Sequence, residues 1–407
     1  MHVVGAGLAG LAAALSLRAA GRSVVVHEAA PAAGGRCRSY FDRTLALTID
    51  NGNHLLLSGN AAAMAYLREI GAGDALGGPD APVFPFVDLA RRERWTLRLS
   101  EGRIPWWIAA PSRRVPGTRL GDYVRLLGLA RVRDDRSVAT LIPPSKLFDR
   151  LVGPLAIAAL NTPPEEGLAR LLGAVVRETL MRSGADCMPR FPRVSLAAAF
   201  VDPAITVLRA RGVEVRFGSR VSALAPDGRG VTVDGEVLPG GGAVLAVPPW
   251  SAAELVPGLV VPDAFEAILN IHFRADADPG PAGLYGLLGG TAEWVFVKPA
   301  HVSATISAAN RMVDQPAEAI AEAVWEDVKT VLRLDGAMPA WRVVKEKRAT
   351  FAATAAQEAR RPEARTAQAR LVLAGDWTAT GLPATIEGAI RSGRRAADLL
   401  LSQCPTR

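Results

Sequence analysis

Residues 3–10 read Val-Val-Gly-Ala-Gly-Leu-Ala-Gly, and the reading of this stretch decides the fold. Val3 and Val4 end a short apolar run. Leu8 to Ala20 is rich in Ala and Leu, which favour helix. Gly21 stops that helix, as a residue tolerant of positive φ does. Ser23-Val24-Val25-Val26-His27-Glu28 then reads as a second buried strand ending in an acid. Strand, tight turn, helix and strand in this register frame a dinucleotide site. Gly5 permits the turn, Gly7 lets the backbone approach a pyrophosphate, and Gly10 lets helix and strand pack closely. Leu8 and Ala9 open the helix whose free N–H groups and dipole face the phosphates. Glu28 is placed to accept from adenosine ribose hydroxyls, which argues against a 2′-phosphate there.

Working outward, the chain has 407 residues, enough for two or three domains. Its hydrophobic content of 49% excludes global disorder. No apolar run approaches the ~18 residues that a membrane-spanning helix needs. With the motif at Gly5, no signal peptide is expected ahead of it. Cys37, Cys187 and Cys404 lie far apart, which excludes a disulfide framework and a structural zinc site, so no metal is expected. That usage fits a reducing compartment, and a cytoplasmic location is expected.

The formal net charge of +7 is local. Residues 91–136 hold 12 arginines and 5 acids, while the other 361 residues hold 35 bases and 35 acids. The same segment carries Trp95, Trp106, Trp107 and Ile108. Arginine with tryptophan beside an amphipathic helix is the pattern of a peripheral contact with anionic membrane on the inner, cytoplasmic face. The bland reading is a solvated basic face. No nucleic-acid module is recognisable, so no nucleic-acid partner is expected.

A Gly-Gly-Arg at Gly34, Gly35 and Arg36 follows Glu28. It resembles a segment of the flavoprotein group that includes amine oxidases and carotenoid desaturases. There it wraps FAD with the arginine near the phosphates, a place suited to a rigid guanidinium fork. Leu371-Val372-Leu373-Ala374-Gly375-Asp376 and the helix from Thr385 to about Ser402 resemble the closing FAD motif of that group. The resemblance implies that Asp376, beside Gly375, holds a ribityl or pyrophosphate oxygen. It also implies that the helix start at Ile386, around Gly388 and Ala389, presents N–H groups to the flavin pyrimidine edge. Between the motifs, 211–216, 220–224, 231–234 and 243–249 read as strands, and Val221 matches a valine whose backbone contacts adenine. No cysteine lies near the closing motif, so FAD is expected to be non-covalent. No second nicotinamide site is visible.

The expected fold is α/β: a Rossmann-like FAD-binding domain of the amine oxidase/phytoene desaturase type with an inserted α+β substrate domain. The FAD-binding domain is expected to be discontinuous, over 1–80, 195–258 and 360–407. The substrate domain takes 81–194, read as mostly helical (121–132, 145–160, 165–182), and 259–359, read as sheet plus a helix at 316–333. These insertions are apolar and poor in ionisable residues, as suits a lipidic substrate.

Asp50-Asn51-Gly52-Asn53-His54, Pro105-Trp106-Trp107, the run 153–163, Ala185-Asp186-Cys187-Met188-Pro189-Arg190 and the closing Gly-Asp-Trp-Thr resemble the hydroxysqualene dehydroxylase family (squalene-associated FAD-dependent desaturases). The resemblance spans nearly the whole chain, though family members often carry a few more residues before the first strand. It places Gly52 at the cofactor. It implies that reduced FAD delivers hydride to hydroxysqualene, an allylic alcohol, giving squalene for bacterial hopanoid synthesis, with an external reductant. Ionisation of the alcohol needs a proton donor: His54 is the first candidate, then Asp50 and Glu387. The alternatives are an amine oxidase or carotenoid-type desaturase, for which Lys298 or Lys345 would sit near the flavin, and a flavin-binding protein without catalysis.

Overall fold

In the computed structural model, residues 1–404 are described. A five-stranded parallel sheet takes its strands in the spatial order Glu214–Phe217, Val25–Glu28, His2–Val4, Ala243–Leu245 and Leu371–Leu373. The strands are short and valine-rich because helices bury both faces, the usual condition of a parallel sheet. The helices Leu8–Ala19 and Ile386–Gln403 cross so closely that a Cβ at Gly393 would overlap the carbonyl oxygen of Ala9. First and last helices of the chain therefore form one layer.

The turn at Gly5 and the close packing at Gly10 have a geometric counterpart here. Gly5 sits at φ +104° and its N–H donates to the His27 carbonyl at 2.7 Å. A Cβ at Gly10 would overlap the Gly5 carbonyl, whereas one at Gly7 would meet nothing within 4 Å. The first helix stops as expected, with Gly21 at φ +77°.

A seven-stranded sheet forms the second layer system, in the order Trp341–Phe351, Phe265–Phe273, His301–Ile306, Trp294–Lys298, Leu284–Leu288, Val83–Asp88 and Glu93–Arg98. One face carries Leu269, Ile271, Phe273, Val302 and Ala304, buried against Ile320, Val324, Trp325 and Val328 of the helix Ala317–Leu332. Alternation along the strands then turns Asn270, His272, Ser303 and Thr305 to the opposite face.

The reading of 81–194 as mostly helical needs correction. Its first part is the hairpin Val83–Asp88/Glu93–Arg98, which completes the large sheet. Pro85 and the arginine-rich second strand mask the alternation, and the turn uses Arg92 at φ +55° instead of a glycine. Residues 120–131 are a 3-10 turn, Leu120–Arg125, followed by the short helix Leu126–Arg131. A π-helical turn, Phe148–Val152, precedes the helix Gly153–Leu160. The helix expected over 165–182 is confined to Ala169–Glu178.

Four histidines are buried in pairs. His2 Nδ1 lies 3.1 Å from His27 Nε2, and His272 Nδ1 lies 3.0 Å from His301 Nε2. Burial, then the neighbouring positive charge, pushes His27 and His301 down to about 4 and His272 to about 3. The unfolded chain protonates histidine below about pH 6.5. The folded chain keeps these rings neutral until about pH 4, so stability is full above pH 6.5 and is lost as pH falls. Each ring contributes a slope of up to about 1.4 kcal/mol per pH unit within that window. Urea unfolding midpoints at pH 7 and pH 5 check this: the midpoint is expected to fall clearly at pH 5, and equal midpoints contradict it.

Candidate active site

Three loops from distant parts of the chain meet at the carboxyl ends of the parallel strands, where open α/β sheets bind ligands. The first is the Gly5–Gly10 turn. Glu28 holds it: its carboxylate accepts from the N–H groups of Ala6 and Ala30, both at 2.8 Å. Each oxygen keeps a second lone pair for an outside donor. Gly34 donates to the Ala6 carbonyl at 2.9 Å, and Gly7 bridges Gly34 as in a parallel ladder. Val221 pairs with Val233, and its segment runs close by, since Ser219 donates to the Glu28 carbonyl.

The second and third loops are tied by an ion pair. Arg36 Nη2 donates to Asp376 Oδ1 at 2.6 Å, and Arg36 Nη1 donates to the Ala349 carbonyl at 2.6 Å. The Arg36 side chain is enclosed by protein yet 41% accessible, so it lines an internal cleft. Gly375 donates to Ser392 Oγ at 2.8 Å, which seats the last strand on the last helix. Arg361, missed in the sequence, is buried beneath this loop and donates to the carbonyls of Asp376 and Thr378.

Thr385 caps the last helix: its Oγ1 accepts from Gly388 N–H at 3.0 Å, and its carbonyl accepts from Ala389 N–H at 2.9 Å. The N–H groups of Gly388 and Ala389, expected to face the flavin, are thus engaged by Thr385, and those of Ile386 and Glu387 at the same helix start have no acceptor among the described residues.

The Asp50–His54 segment closes the cleft. Asn53 N–H donates to Asn270 Oδ1 at 3.1 Å, and its side-chain amide donates to Thr305 Oγ1 at 3.0 Å. Asn51 Nδ2 donates to Glu346 at 3.0 Å, and Asn270 Nδ2 to the Asn51 carbonyl at 3.3 Å. This network stitches the segment to the polar face of the large sheet. Asn270 and Thr305 were not singled out in the sequence: each alternates with other polar residues, His272 and Ser303, along its strand. A Cβ at Gly52 would lie 3.9 Å from His54 Nε2, so the histidine stands beside the glycine. His54 is half-buried, and its pKa is pushed down to about 4 by desolvation first and by the Arg36 charge second.

The other two acid candidates are committed elsewhere. Asp50 Oδ1 accepts from Ser39 Oγ at 2.6 Å and from Leu196 N–H at 2.8 Å. Glu387 caps the helix Ala61–Glu69 by accepting from Ala62 and Ala63 N–H, and pairs with Arg391 at 2.7 Å. Lys298 is paired with Asp50 at 3.8 Å, and Lys345 donates to the Val313 and Gln315 carbonyls.

A dinucleotide fits this arrangement. Space is open over Gly7, an enclosed guanidinium is accessible from within, and the buried Asn51 Oδ1 has no internal partner. Comparison with known proteins agrees on the class. The sequence model of flavin containing amine oxidoreductases matches residues 8–275 and 298–401, and the chain belongs to that family. Within it the chain belongs with the hydroxysqualene dehydroxylases. The hydroxysqualene dehydroxylase of Rhodopseudomonas palustris is 49% identical, with 99% of this chain and 98% of that one covered. That of Sinorhizobium fredii is 46% identical over 100% of this chain and 99% of its own. Among solved structures, a putrescine oxidase bound to putrescine superposes with a TM-score of 0.72 at 17% identity, covering 98% of both chains. An oxidoreductase from Methanosarcina mazei gives a TM-score of 0.75 at 16% identity, covering 98% of this chain and 99% of its own. At such identity these two speak for the fold alone.

Two glycine substitutions separate cofactor contact from folding. Gly7→Ala places its methyl in open space, so the protein is expected to melt normally but to lose flavin at least tenfold more readily. Gly10→Ala meets backbone and is expected to destabilise the fold by about 2 kcal/mol. Melting temperature and flavin absorbance after gel filtration measure both, and equal behaviour of the two variants contradicts the assignment.

Proposed function

We propose that this chain is a flavoenzyme that replaces the hydroxyl of hydroxysqualene by hydrogen, giving squalene in the bacterial route to hopanoids. The near-full-length identity with three hydroxysqualene dehydroxylases carries this reading. Non-covalent FAD, reduced by an external donor, supplies the hydride. Cys37, beside Arg36, is buried and its thiol is pushed up to about 12, so it lacks the thiolate that a covalent link needs. Three buried, separated thiols also suit a reducing, cytoplasmic compartment. No helix of the described residues is long and apolar enough to cross a membrane.

The residues around His54 suit an ionising allylic alcohol. Leu55, next to His54, packs against the apolar cluster that holds Val83, Phe191, Leu284 and Phe296. Such apolar packing beside the cleft helps exclude water that would capture a delocalised cation. Asp50 and Glu387 are engaged by backbone donors, which favours His54 over them as the proton donor of this proposal. With its pKa near 4, the imidazolium is a small minority at neutral pH, and a strong acid when present. Lys298 and Lys345, the lysines the oxidising alternatives would use, are both engaged.

Dithionite-reduced enzyme mixed anaerobically with hydroxysqualene is expected to form squalene, seen by mass spectrometry, with one flavin reoxidised per product. Flavin that stays reduced while no squalene forms overturns the reading. The single-turnover rate is expected to rise about tenfold per unit as pH falls from 8 to 6, following the imidazolium fraction. His54→Gln should flatten that profile while retaining flavin, and a variant with an unchanged slope removes His54 from the role.

A further inference from the structure

Within 91–136, the stretch 103–133 combines arginines with exposed apolar residues. Trp107 packs edge-on against Tyr123 at 5.2 Å, and Val115 N–H donates to the Tyr123 hydroxyl at 2.9 Å. These buried contacts bring 103–108 and 115–127 together. Their outward neighbours are large and apolar: Trp106 is 68% exposed, Val124 63%, Ile104 58% and Leu120 56%. Soluble surfaces seldom gather such side chains without a partner.

The same stretch carries Arg103, Arg113, Arg114, Arg119, Arg125, Arg131 and Arg133. Among the described residues none of these seven has a carboxylate within 4.0 Å, although the chain forms ion pairs widely elsewhere. Asp122, the acid in their midst, accepts from the Arg119 backbone N–H at 2.7 Å. Seven guanidiniums without a carboxylate partner, on the same stretch as exposed aromatic and aliphatic side chains, complement an anionic interface with an apolar interior. A nucleic acid would leave the aliphatic side chains without a use.

Backbone hydrogen bonds tie this surface to the segment that follows His54. Gly184 donates to the Gly102 carbonyl at 3.2 Å and Ala185 to the Glu101 carbonyl at 2.9 Å. On its other side the same stretch meets the segment after His54, with Gly59 donating to the Asp186 carbonyl at 2.8 Å and Ser58 to that of Met188 at 3.0 Å. A cavity of about 440 Å³ opens at this junction, lined by Arg103, Met181, Arg182, Ser183 and Asp186.

We infer that residues 103–133 dock the protein on an anionic lipid bilayer, with Ile104, Trp106, Leu120 and Val124 entering the headgroup boundary and the arginines holding lipid phosphates. That the docked face delivers a water-insoluble substrate to the neighbouring cleft rests on the proposed function. The docking itself does not, and it is tested without substrate.

The FAD-loaded full chain is sedimented with phosphatidylcholine vesicles and with vesicles containing phosphatidylglycerol. At least tenfold tighter binding to the anionic vesicles is expected, released by 0.5 M salt. Tryptophan emission should shift to the blue on binding, and Trp106→Phe should remove most of that shift. R113S/R114S/R119S and, separately, Leu120→Ser with Val124→Ser should each weaken binding at least tenfold while flavin content stays normal. Equal binding to both vesicles, undiminished binding by both variants, or polyglutamate matching the anionic vesicles each overturns the proposal. Vesicle binding without turnover would instead defeat the dehydroxylase reading and leave docking intact.

Discussion

Arg36 follows the second strand of the parallel sheet and Asp376 follows the last, and their contact at 2.6 Å lets loops from opposite ends of the sequence enclose one cleft. Arg36 also holds the Ala349 carbonyl, which belongs to the outer strand of the large sheet. One guanidinium thus fixes three segments: the two flavin motifs and the wall that faces them. A pair that is open to the cleft on one side adds little to stability, because solvent screens it. Its contribution is placement. The rigid fork sets the spacing of the loops, and its charge lowers the basicity of His54.

The parts of this frame that involve backbone meeting backbone were legible in the sequence. Gly5 and Gly10 stand where a side chain would collide with main-chain atoms, and such collisions leave glycine as the record. The closing motif was legible for a related reason: a buried strand ending in Gly-Asp before a helix has few other uses. Reading failed where a single side chain did the work. Thr385 caps the last helix and takes the donor that Gly388 was expected to offer. Glu387 resembles a favourable first-turn acid, but its carboxylate serves a different helix, at Ala62 and Ala63. His54 was visible as a titratable group, whereas its environment depends on Arg36 and on burial, neither of which is adjacent in sequence.

The large sheet shows the same division. Its apolar face, Leu269 to Phe273 against Trp325 and Val328, follows from alternation. Its polar face shows the complementary alternation, Asn270 with His272 and Ser303 with Thr305, but that pattern alone does not say which segment those side chains hold. Together with Asn51 and Asn53 they form a set of hydrogen bonds drawn from three separate segments. Such a network tolerates little change, since removing one member strands the others without partners in a buried setting. The hairpin over 83–98 escaped notice because its turn relies on Arg92 and an Asp88 carboxylate instead of a glycine.

The close crossing of the helices Leu8–Ala19 and Ile386–Gln403 has a temporal side. The ribosome makes the first helix early and the last one after nearly everything else. Until residues 371–403 emerge, the parallel sheet lacks its outer strand, and Ala9, Ala12 and Ala13 have lost their covering layer. Contacts of such long sequence separation form slowly. The nascent protein therefore carries a half-built flavin cleft for most of its synthesis, with apolar surface on show during that interval. Flavin capture becomes a post-translational event, and cofactor supply then acts as a late check on whether the whole chain has folded.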